Sequence, residues 1–576
     1  MPRQPVALGY QEGRSPPLAA SRLVNLYMET APLNSRAPKF PAGAFQTVTG
    51  PAYGTPGLAA FATVPITPDN TSYVRAMRYA LTYLYVLYKS SLFRVSSTGT
   101  VELCTGSFIP STGTAMMTDN GIQLTVLSGG LCFVVTGTSI AQNTSTSYPA
   151  VGVGSIDTMD GYTIFTTASG AGVSYGTARV ITGITNANPA VVTSANHGLL
   201  NQDQVLIASV SGMPQVNART LQIINVTANT FELDGIDSTL YGVYASGGTA
   251  SPVVAQAAGQ WFISALYDST VIHPLDCATA ESSPDALLRV LVHNREVWLF
   301  GSDTTEPWQN TGASPFPFER VSGSILEKGT IAGRSPAKVD NSVFWLGSDK
   351  IVYRAQGYQP VRISNFAVEE AIRDCSDVSD AFGMTYVMGG HTFYVLSFPT
   401  MNRTFAYDVA TQVWHERASG TSLTPVIWAV SCIESCWGKV LAGTNGINTT
   451  TKVCQLDLDT YSEVGNPIRR VAVTPPFYAN GNLESMPLIE LECELGVGLS
   501  TGQGEDPTVM VRFSDDGGAT FSNQREASLR RMGDRINRAM VRRLGTFRQR
   551  EVEFSISDPV KVCFYGIRFE RKALAA

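Results

Sequence analysis

Short runs of alternating apolar and polar residues fill the chain between about residue 61 and residue 468. Turn-forming Gly, Asn, Asp and Ser residues separate the runs, so each stretch predicts two or more strands joined by a hairpin. Such stretches recur at intervals of roughly 40–60 residues. The clearest of them are residues 81–104, 122–137, 295–312, 341–364 and 391–419. The chain is therefore predicted to be all-β over most of its length.

A strand-only repeat of this period is typical of β-propeller blades, in which each blade is a small antiparallel sheet. The segment FAYDVATQVW at 405–414 fits the last hairpin of a blade, because an aromatic residue and Asp precede a Thr turn that leads into Trp, as in kelch-like propellers. The pattern is compatible with about six to eight blades and does not choose among these numbers. Few helices are expected, and the best candidate is the short segment NFAVEEAIRDC at 365–375.

The propeller pattern is interrupted at residues 179–251, which we predict to form an inserted small β-barrel. A stretch rich in Gly, Ser and Thr precedes this segment, and the strand WFISALY at 261–267 resumes the earlier pattern. Insertion at a loop tip is tolerated when the two ends of the inserted segment lie close together. The propeller-like body is accordingly predicted in two parts, residues 61–178 and 252–468.

The two ends of the chain differ from this middle. Residues 1–60 are rich in Pro and lack hydrophobic periodicity, which predicts an extended N-terminal arm because Pro interrupts helices. Such an arm can wrap a neighbouring subunit and become ordered on assembly. Residues 469–576 carry longer alternating strands and predict a C-terminal domain of the β-sandwich type.

An Arg-rich segment at residues 525–550 interrupts the C-terminal strands and is our candidate assembly surface. Its nine Arg are Arg525, Arg530, Arg531, Arg535, Arg538, Arg542, Arg543, Arg548 and Arg550. Guanidinium groups bind carboxylates and phosphates well, so the segment suits contact with an acidic protein face or with DNA. A solvated face with no partner is the alternative interpretation.

Composition narrows the possible functions. Charged residues make up 15% of the chain, the net charge is −6, and 44% of the residues are hydrophobic. A protein that coats nucleic acid non-specifically would be strongly basic, so that class is excluded for the chain as a whole. No apolar run reaches the ~18 residues of a membrane span, and the N-terminus has no apolar segment of signal-peptide length, so we expect a protein made and kept in a cytosol. The nine Cys lack CxxC spacing and are expected to be free, buried thiols.

Motifs that could carry chemistry are few, and each has a structural interpretation. GVSYG matches the GxSxG motif around Ser174, but no helix is predicted after it, as a nucleophile elbow requires. SDDGGATF resembles an Asp box, a hairpin turn in which Asp516 has a structural role. Asp303 and Glu306 flank a predicted turn and are expected to be solvated, not to form a glycosidase pair.

Histidines and glycines give no sign of a metal or cofactor. The five His, at positions 197, 273, 293, 391 and 415, are not spaced as metal ligands on a helix or strand. No Gly pattern for binding a nucleotide is present either. We therefore predict no catalytic residue, no metal site and no cofactor.

Stretches at both ends of the chain together resemble one family. The opening GYQEGRSPPLAASRLVNLYME (9–29), followed by TPGL (55–58), is similar to the start of packaged-DNA stabilisation proteins, the tail-hub or nozzle subunits of short-tailed phages. The sequence between RFSDDGGATF and CFYGIRFE (512–570) resembles endings that are common in phage tail proteins. The resemblance consists of short motifs spread over most of the chain.

The predicted insert resembles a different module. Its segments VVTSANHGL (191–199), SGMPQVNARTLQIINVTANTFEL (211–233) and SGGT (246–249) are similar to a small β-barrel named after the first-catalytic-cysteine-half domain of ubiquitin-activating enzymes, which phage structural proteins often carry. This insert departs from the tail-hub pattern, so the resemblance does not assign it a role.

The tail-hub resemblance implies a structural function and no enzymatic activity. It implies a homo-hexameric ring in the phage tail of the virion, made in the bacterial host cytoplasm, that docks below the portal and adaptor and retains packaged DNA in the head. The implied partners are further copies of the chain, the portal and adaptor proteins, a tail fibre or tailspike, and a tail needle or plug. DNA would pass through the channel without sequence-specific binding. The alternative is a carbohydrate-binding or carbohydrate-active phage tail propeller that acts as a receptor-binding component.

Overall fold

The computed structural model of this chain consists almost entirely of β-strands. It describes residues 3–4, 9–11, 21–29, 50–65, 73–107, 109–143, 145, 152–167, 174–201, 203–217, 219–254, 259–273, 276–280, 285–314, 316–444, 451–479, 481–536 and 538–573. The described residues contain one α-helix, Phe366–Asp374, where the sequence predicts a helix. The Asn365 side chain begins this helix by accepting a hydrogen bond of 2.9 Å from the backbone N–H of Val368. A 3₁₀ turn, Pro214–Val216, is also present.

Seven antiparallel sheets follow one another along the described chain and form the blades of a propeller. Blade 1 comprises Val74–Ala80, Tyr83–Tyr88, Ser91–Val95 and Val101–Leu103. Blade 2 comprises Ala115–Asp119, Leu124–Ser128, Leu131–Thr136 and Ser139–Gln142, with Thr105–Gly106 at its outer edge. Blade 3 comprises Val153–Met159, Tyr162–Thr167, Gln260–Ile263 and Cys277–Thr279. Blade 4 comprises Leu287–His293, Glu296–Gly301, Thr305–Asn310 and Phe318–Arg320.

The remaining three blades complete the ring. Blade 5 comprises Ala337–Val339, Ser342–Leu346, Val352–Gln356 and Gln359–Arg362. Blade 6 comprises Phe382–Met388, His391–Phe398, Arg403–Asp408 and Val413–Arg417, so the predicted hairpin at 405–414 joins the third and fourth strands of a blade. Blade 7 comprises Val430–Cys436, Lys439–Thr444, Thr451–Asp457 and, as its fourth strand, the N-terminal segment Gly57–Thr63, flanked by the short strands Ser462–Glu463 and Asn466–Pro467.

Apolar packing closes this ring. The inner strand of blade 7 lies against the inner strand of blade 1, just as the inner strands of blades 1 and 2 lie against each other. Leu441 of blade 7, Val86 of blade 1 and Ala62 of the N-terminal strand share one buried cluster. The fourth strand of blade 7, Gly57–Thr63, precedes blade 1 in the chain, so its hydrogen bonds with Thr451–Asp457 fasten the last blade to the first. The predicted propeller-like body is confirmed, and its described part has seven blades.

The inserted module lies between the second and third strands of blade 3. Its strands are Ser174–Tyr175, Arg179–Val180, Gly183–Ile184, Ala190–Thr193, Gln204–Ser211, Arg219–Ile224, Thr230–Leu233 and Ser246–Val254. The segment between Arg179 and Ile184 closes the barrel, since the N–H of Ile181 donates to Gly248 and the N–H of Thr182 donates to Thr193, both at 2.9 Å. The module's first and last strands pair with each other, so its two ends lie side by side.

The C-terminal domain is a sandwich of two sheets. One sheet continues blade 6 outward through Arg22–Val24, Arg470–Val473, Gln549–Ile556, Thr508–Ser514 and Arg525–Ser528, with Phe477–Tyr478 alongside. The other sheet contains Leu26–Met28, Ala52–Gly54, Cys563–Ala573, Glu484–Cys493 and Ala539–Arg542, with Arg3–Gln4 and Thr546–Phe547 alongside. The two sheets enclose one large apolar cluster. The predicted β-sandwich-like domain is thereby confirmed, and blade 6 joins it to the propeller through a continuous sheet.

The described parts of the N-terminal arm pack into their own chain. Leu23 and Leu26 are fully buried in the sandwich core. Between them, Asn25 adopts a positive φ of 54°, which Asn tolerates better than most residues, and its side-chain amide donates to the carbonyls of Ala418 at 2.8 Å and Arg469 at 2.9 Å. The arm therefore fastens blade 6 to the sandwich. The interpretation of residues 1–60 as a segment that wraps a neighbouring subunit does not fit these described parts.

Candidate assembly surfaces

The Arg-rich segment connects the edge strands of the two sandwich sheets. Arg525–Ser528 is the last strand of the sheet that continues blade 6, and Ala539–Arg542 is the last strand of the opposite sheet. The Arg525 guanidinium spans the gap, donating to the carbonyls of Arg542 at 2.7 Å and Arg543 at 2.8 Å. The segment thus lies at an open side of the sandwich, where one sheet edge meets the other.

The nine predicted arginines do not all reach the surface. Six are exposed, namely Arg531, Arg535, Arg538, Arg542, Arg543 and Arg548. Arg525 and Arg530 are half-buried. Arg550 is buried: its guanidinium forms a two-pronged ion pair with Asp515, with both N–O distances 2.7 Å, and lies over the rings of Phe513 and Phe547. Arg550 therefore holds the sandwich together and is not available to a partner.

The exposed group of six carries more positive charge than its neighbours balance. Arg531 lies 3.6 Å from Glu505, and Arg538 lies 3.3 Å from Glu490. The other four, Arg535, Arg542, Arg543 and Arg548, form no ion pair with any carboxylate that the structure describes. Charged edge strands also discourage unwanted strand pairing between chains, so part of this charge has a protective role.

Two large apolar side chains stand among these arginines. Met532 is 65% exposed and Ile536 is 94% exposed. Arg and Met are both enriched at protein–protein contacts, and here an exposed Ile stands beside them. Sequence reasoning noted the charge and missed these two residues, although two apolar positions within an Arg run are a visible signal. We call the six exposed arginines with Met532 and Ile536 the arginine surface.

The inserted module presents a second group of exposed apolar side chains. Leu240 is 95% exposed, and Val180, Leu200 and Val243 are also exposed. They stand outside the module's own apolar core, which is complete without them. A module with a finished core and exposed apolar residues can offer contacts without loss of its fold.

The residues inspected for catalysis have structural roles. Asp516 accepts hydrogen bonds from the Thr520 hydroxyl at 2.5 Å, the Thr520 N–H at 2.9 Å and the Ser514 hydroxyl at 2.7 Å, and these bonds lower the pKa of its carboxyl to about 2. It organises a turn, as predicted. Ser174 lies in a short strand that pairs with Ser246–Val254, not at a turn into a helix.

The expectation for Asp303 and Glu306 is half right. Asp303 is exposed, as predicted. Glu306 is buried, because it lies within a strand of blade 4 and not beside a turn, and it accepts a hydrogen bond of 3.2 Å from the Trp308 indole N–H. The prediction that both carboxylates are solvated was therefore wrong for Glu306.

Most histidine and cysteine side chains of the described residues are buried or half-buried, and His273 is exposed. Those residues contain no group of His, Cys, Asp and Glu that could hold a metal ion. His391 is buried between two carboxylates, 2.7 Å from Asp408 and 3.1 Å from Glu29 of the arm. The nine cysteines are free thiols, as predicted, but only five of them are buried, and the other four are half-buried. In the same described part, no helix has the length and hydropathy needed to cross a membrane.

Comparison with known families agrees with this architecture. The profile described as "Bacteriophage P22 Gp10, beta-propeller" matches residues 227–459, and the profile "Bacteriophage P22 Gp10, beta-sandwich" matches residues 469–571. Together the two cover more than half of the chain: they span the end of the inserted module, the last two strands of blade 3, blades 4 to 7 and the sandwich. The profile "Ubiquitin-activating enzyme E1 FCCH domain" matches residues 187–253, within the inserted module. No curated protein sequence matches the chain.

These matches and the fold define a structural component of a phage tail, found in the virion. The resemblance noted in the sequence is thereby confirmed. The chain belongs to the P22 Gp10 family of DNA-stabilisation, tail-hub proteins and carries an additional inserted module of the FCCH type.

Solved structures resemble the chain only distantly. A virginiamycin B lyase from Staphylococcus aureus is 8% identical, with a TM-score of 0.31 over 68% of this chain and 97% of that chain. A streptogramin B lyase is 9% identical, with a TM-score of 0.30 over 69% of this chain and 97% of that chain. The computationally designed Ika8 protein is 8% identical, with a TM-score of 0.30 over 69% and 99%. No function follows from likenesses this distant.

Proposed function

We propose that this chain is a subunit of the ring that closes the head-to-tail channel of a short-tailed phage. In this role it docks below the portal and adaptor, retains packaged DNA in the head and anchors tail fibres or spikes. The observation that carries the proposal is the pairing of a Gp10-type propeller with a Gp10-type sandwich in one chain. The ring is homo-hexameric, a tail needle or plug closes its channel, and DNA leaves through it without sequence-specific contacts.

Such a subunit catalyses no reaction and acts through buried surface. Closed rings form when one patch of a subunit fits a different patch of the next and the rotation between them closes. Stable contacts of this kind bury on the order of 1,200–2,000 Å² or more, with charged pairs mainly setting register and partner choice. The continuous sheet from blade 6 into the sandwich gives each subunit the rigidity that such fitting requires.

The arginine surface is our candidate for the contact with the connector. It combines four unpaired guanidinium groups with two exposed apolar side chains on a chain whose net charge is −6, so it favours an acidic protein face. A protein partner is favoured over DNA, because a channel that gripped phosphates would slow ejection. An exposed ion pair contributes only about 0.2–1 kcal/mol, but a ring repeats each pair in every subunit.

Docking can be measured by co-sedimentation with DNA-filled heads that lack this chain, across a salt series. We expect the triple variant Arg535→Ser, Arg542→Ser, Arg548→Ser to attach more weakly than the unmodified chain at low salt. The difference should shrink as salt screens the charges. The matched control is Arg295→Ser, Arg320→Ser, Arg373→Ser, which removes equal charge from exposed positions on or beside blades 4 and 5.

Equal attachment of both triple variants at every salt concentration would show that the arginine surface only coats a solvated edge. Failure of the unmodified chain to attach to heads at all would contradict the docking role itself. The first result would reject only the arginine surface as the contact, whereas the second would reject the docking function.

The inserted module is our candidate for outward contacts with fibres or spikes. Its exposed Leu240 and Val243 and its complete core make it a self-supporting platform. Because it is attached through a single loop of blade 3, it can be removed without interrupting the strands of the propeller.

A further inference from the structure

The inner strands of the propeller surround a central cavity of about 300 Å³. All seven blades contribute to its wall, which carries the basic side chains Arg75, Arg78, Arg289, Arg334 and Lys338. The acidic side chains in the same wall are Asp157 and Glu434. The cavity is therefore lined by more positive than negative groups, in contrast to the net charge of −6 of the whole chain.

Two of the basic groups are already neutralised. Lys338 lies 3.6 Å from Asp157. Arg78 donates to Asp119 at 3.0 Å and lies 4.0 Å from Glu434. Both acidic groups of the wall are thereby engaged. None of the other three arginines forms an ion pair with a described carboxylate, although Asp157 raises the pKa of Arg289.

Arg75 keeps its charge while using its donors on the backbone. Its two terminal nitrogens donate to four carbonyls at 2.7 to 3.0 Å, those of Lys89, Pro110, Thr112 and Gly113. Burial lowers the pKa of Arg75, and the nearby guanidinium of Arg334 lowers it further. Arg75 therefore contributes mainly its positive charge to the cavity, because its terminal N–H groups already donate to backbone carbonyls.

Arg289 and Arg334 retain free donors. Arg289 contacts the Met116 sulfur through one terminal nitrogen, and its Nε is buried without a partner among the described residues. Arg334 lies over the Phe382 ring at 5.0 Å, a stacking that leaves the edges of its guanidinium group open. Neither forms an ion pair with a described carboxylate. Burial lowers the pKa of both, and Arg334 also lowers the pKa of Arg289, because like charges in one cavity repel.

We propose that this cavity binds a phosphate group, held by the guanidinium forks of Arg289 and Arg334 in the positive potential of Arg75. A guanidinium donates in parallel to two oxygens of an oxyanion. Two forks can therefore engage the four oxygens of phosphate, whereas a carboxylate offers only two. The cavity volume is at the small end of the range of ligand pockets, about 300–1,000 Å³, which suits a small anion.

The site has a structural consequence for the ring. Arg75 belongs to blade 1 and Arg289 to blade 4, and Arg334 lies three residues before the inner strand of blade 5, Ala337–Val339. Without an anion, the three guanidinium groups repel one another across the propeller. A phosphate bound between them attracts all three. The bound group should therefore stabilise the folded chain in proportion to its affinity and concentration.

Titration calorimetry of the full chain with inorganic phosphate, at constant ionic strength maintained with chloride, tests the site. We expect saturable binding of about one phosphate per chain, with the melting temperature rising as phosphate is added. A deoxynucleoside 5′-monophosphate as second probe tests whether the phosphate belongs to a larger molecule. Arg289→Met and Arg334→Met should each weaken binding by at least about 10-fold, the scale of a lost charge-assisted contact.

The matched control is Arg320→Met, which changes an exposed arginine of blade 4 and should bind phosphate as the unmodified chain does. In phosphate-free buffer, Arg334→Met should melt at the same or a higher temperature than the unmodified chain, since a repelling charge is gone. If the unmodified chain binds neither probe in a saturable manner, the proposal is overturned. This outcome does not depend on whether the variants fold. Unchanged affinity in both methionine variants also overturns it, because the phosphate would then bind elsewhere.

Discussion

The inserted module and the N-terminal arm are both attached to the propeller, but they depend on it in opposite ways. Every member of the module's apolar core lies within the module, between Ile181 and Ala250. The described parts of the arm form no core of their own: Leu23 and Leu26 complete the sandwich, and Leu58 packs between blades 6 and 7. The comparison shows that autonomy depends on whether buried residues find their partners nearby in the sequence.

The arm is consequently the segment whose loss should cost most. Leu26→Ala removes a fully buried side chain from the sandwich core and should lower the free energy of unfolding by about 2–5 kcal/mol. Urea unfolding followed by tryptophan fluorescence measures the change. Leu240→Ala in the module is the control, because that side chain is 95% exposed and its loss should stay within about 0.5 kcal/mol. Equal costs at the two positions would contradict the distinction between arm and module.

The arm should also make a smaller contribution to stability that depends on pH, and the module should make none of this kind. The hydrogen bond with Asp408 raises the pKa of His391, and Glu29 of the arm raises it further. The folded chain therefore keeps the proton of His391 after the unfolded chain has released it. This stabilisation is complete below a pH of about 6.5, the ordinary value for His, and is lost as pH rises through the raised folded pKa.

Glu29→Gln tests this contact by removing the carboxylate that faces His391 at 3.1 Å. At pH 6 the variant should be less stable by about 0.2–1 kcal/mol, and the difference should shrink towards pH 9 as His391 loses its proton. Glu232→Gln, at a half-buried glutamate of the module that is bonded to Asn225, should show no such pH dependence. Thermal melting at the two pH values provides the measurement, and an equal loss at both would argue against an ionic contact.

Removing the module should have the smallest effect on the body. Replacing residues 174–254 by a short Gly/Ser bridge should leave a soluble propeller whose melting temperature changes by only a few degrees, because the paired ends of the module lie side by side. The excised segment should fold by itself, as its own apolar core predicts. Circular dichroism of both pieces gives the result. An insoluble body would show that the module supports blade 3.

Local patterns in the sequence were sufficient to predict the blades, the hairpin at 405–414 and the helix at 366–374, because each depends on neighbouring residues. Pairings over long distances left no such signal. Nothing near Gly57–Thr63 indicates that it completes blade 7, whose other strands lie between residues 430 and 457. The same reason explains why the sequence pattern left the number of blades open between six and eight.

The candidate sites also differ in whether their residues are neighbours in the sequence or come together only in the fold. The Arg run at 525–550 was visible because its members are contiguous, although burial removed Arg550 from the surface. Arg75, Arg289 and Arg334 are unremarkable in sequence, and only the closure of the ring brings them to one cavity. Glu306 was misjudged since a strand, not a turn, holds it.

Retention of DNA by heads is the most direct test of the account. Heads filled with DNA but assembled without this chain would be incubated with the purified chain and then treated with nuclease, and the protected DNA would be measured. We expect protection to rise with added chain until the connector is saturated, with a bovine albumin control giving none. DNA lost to the same extent with and without the bound chain would contradict the proposal that the ring closes the channel.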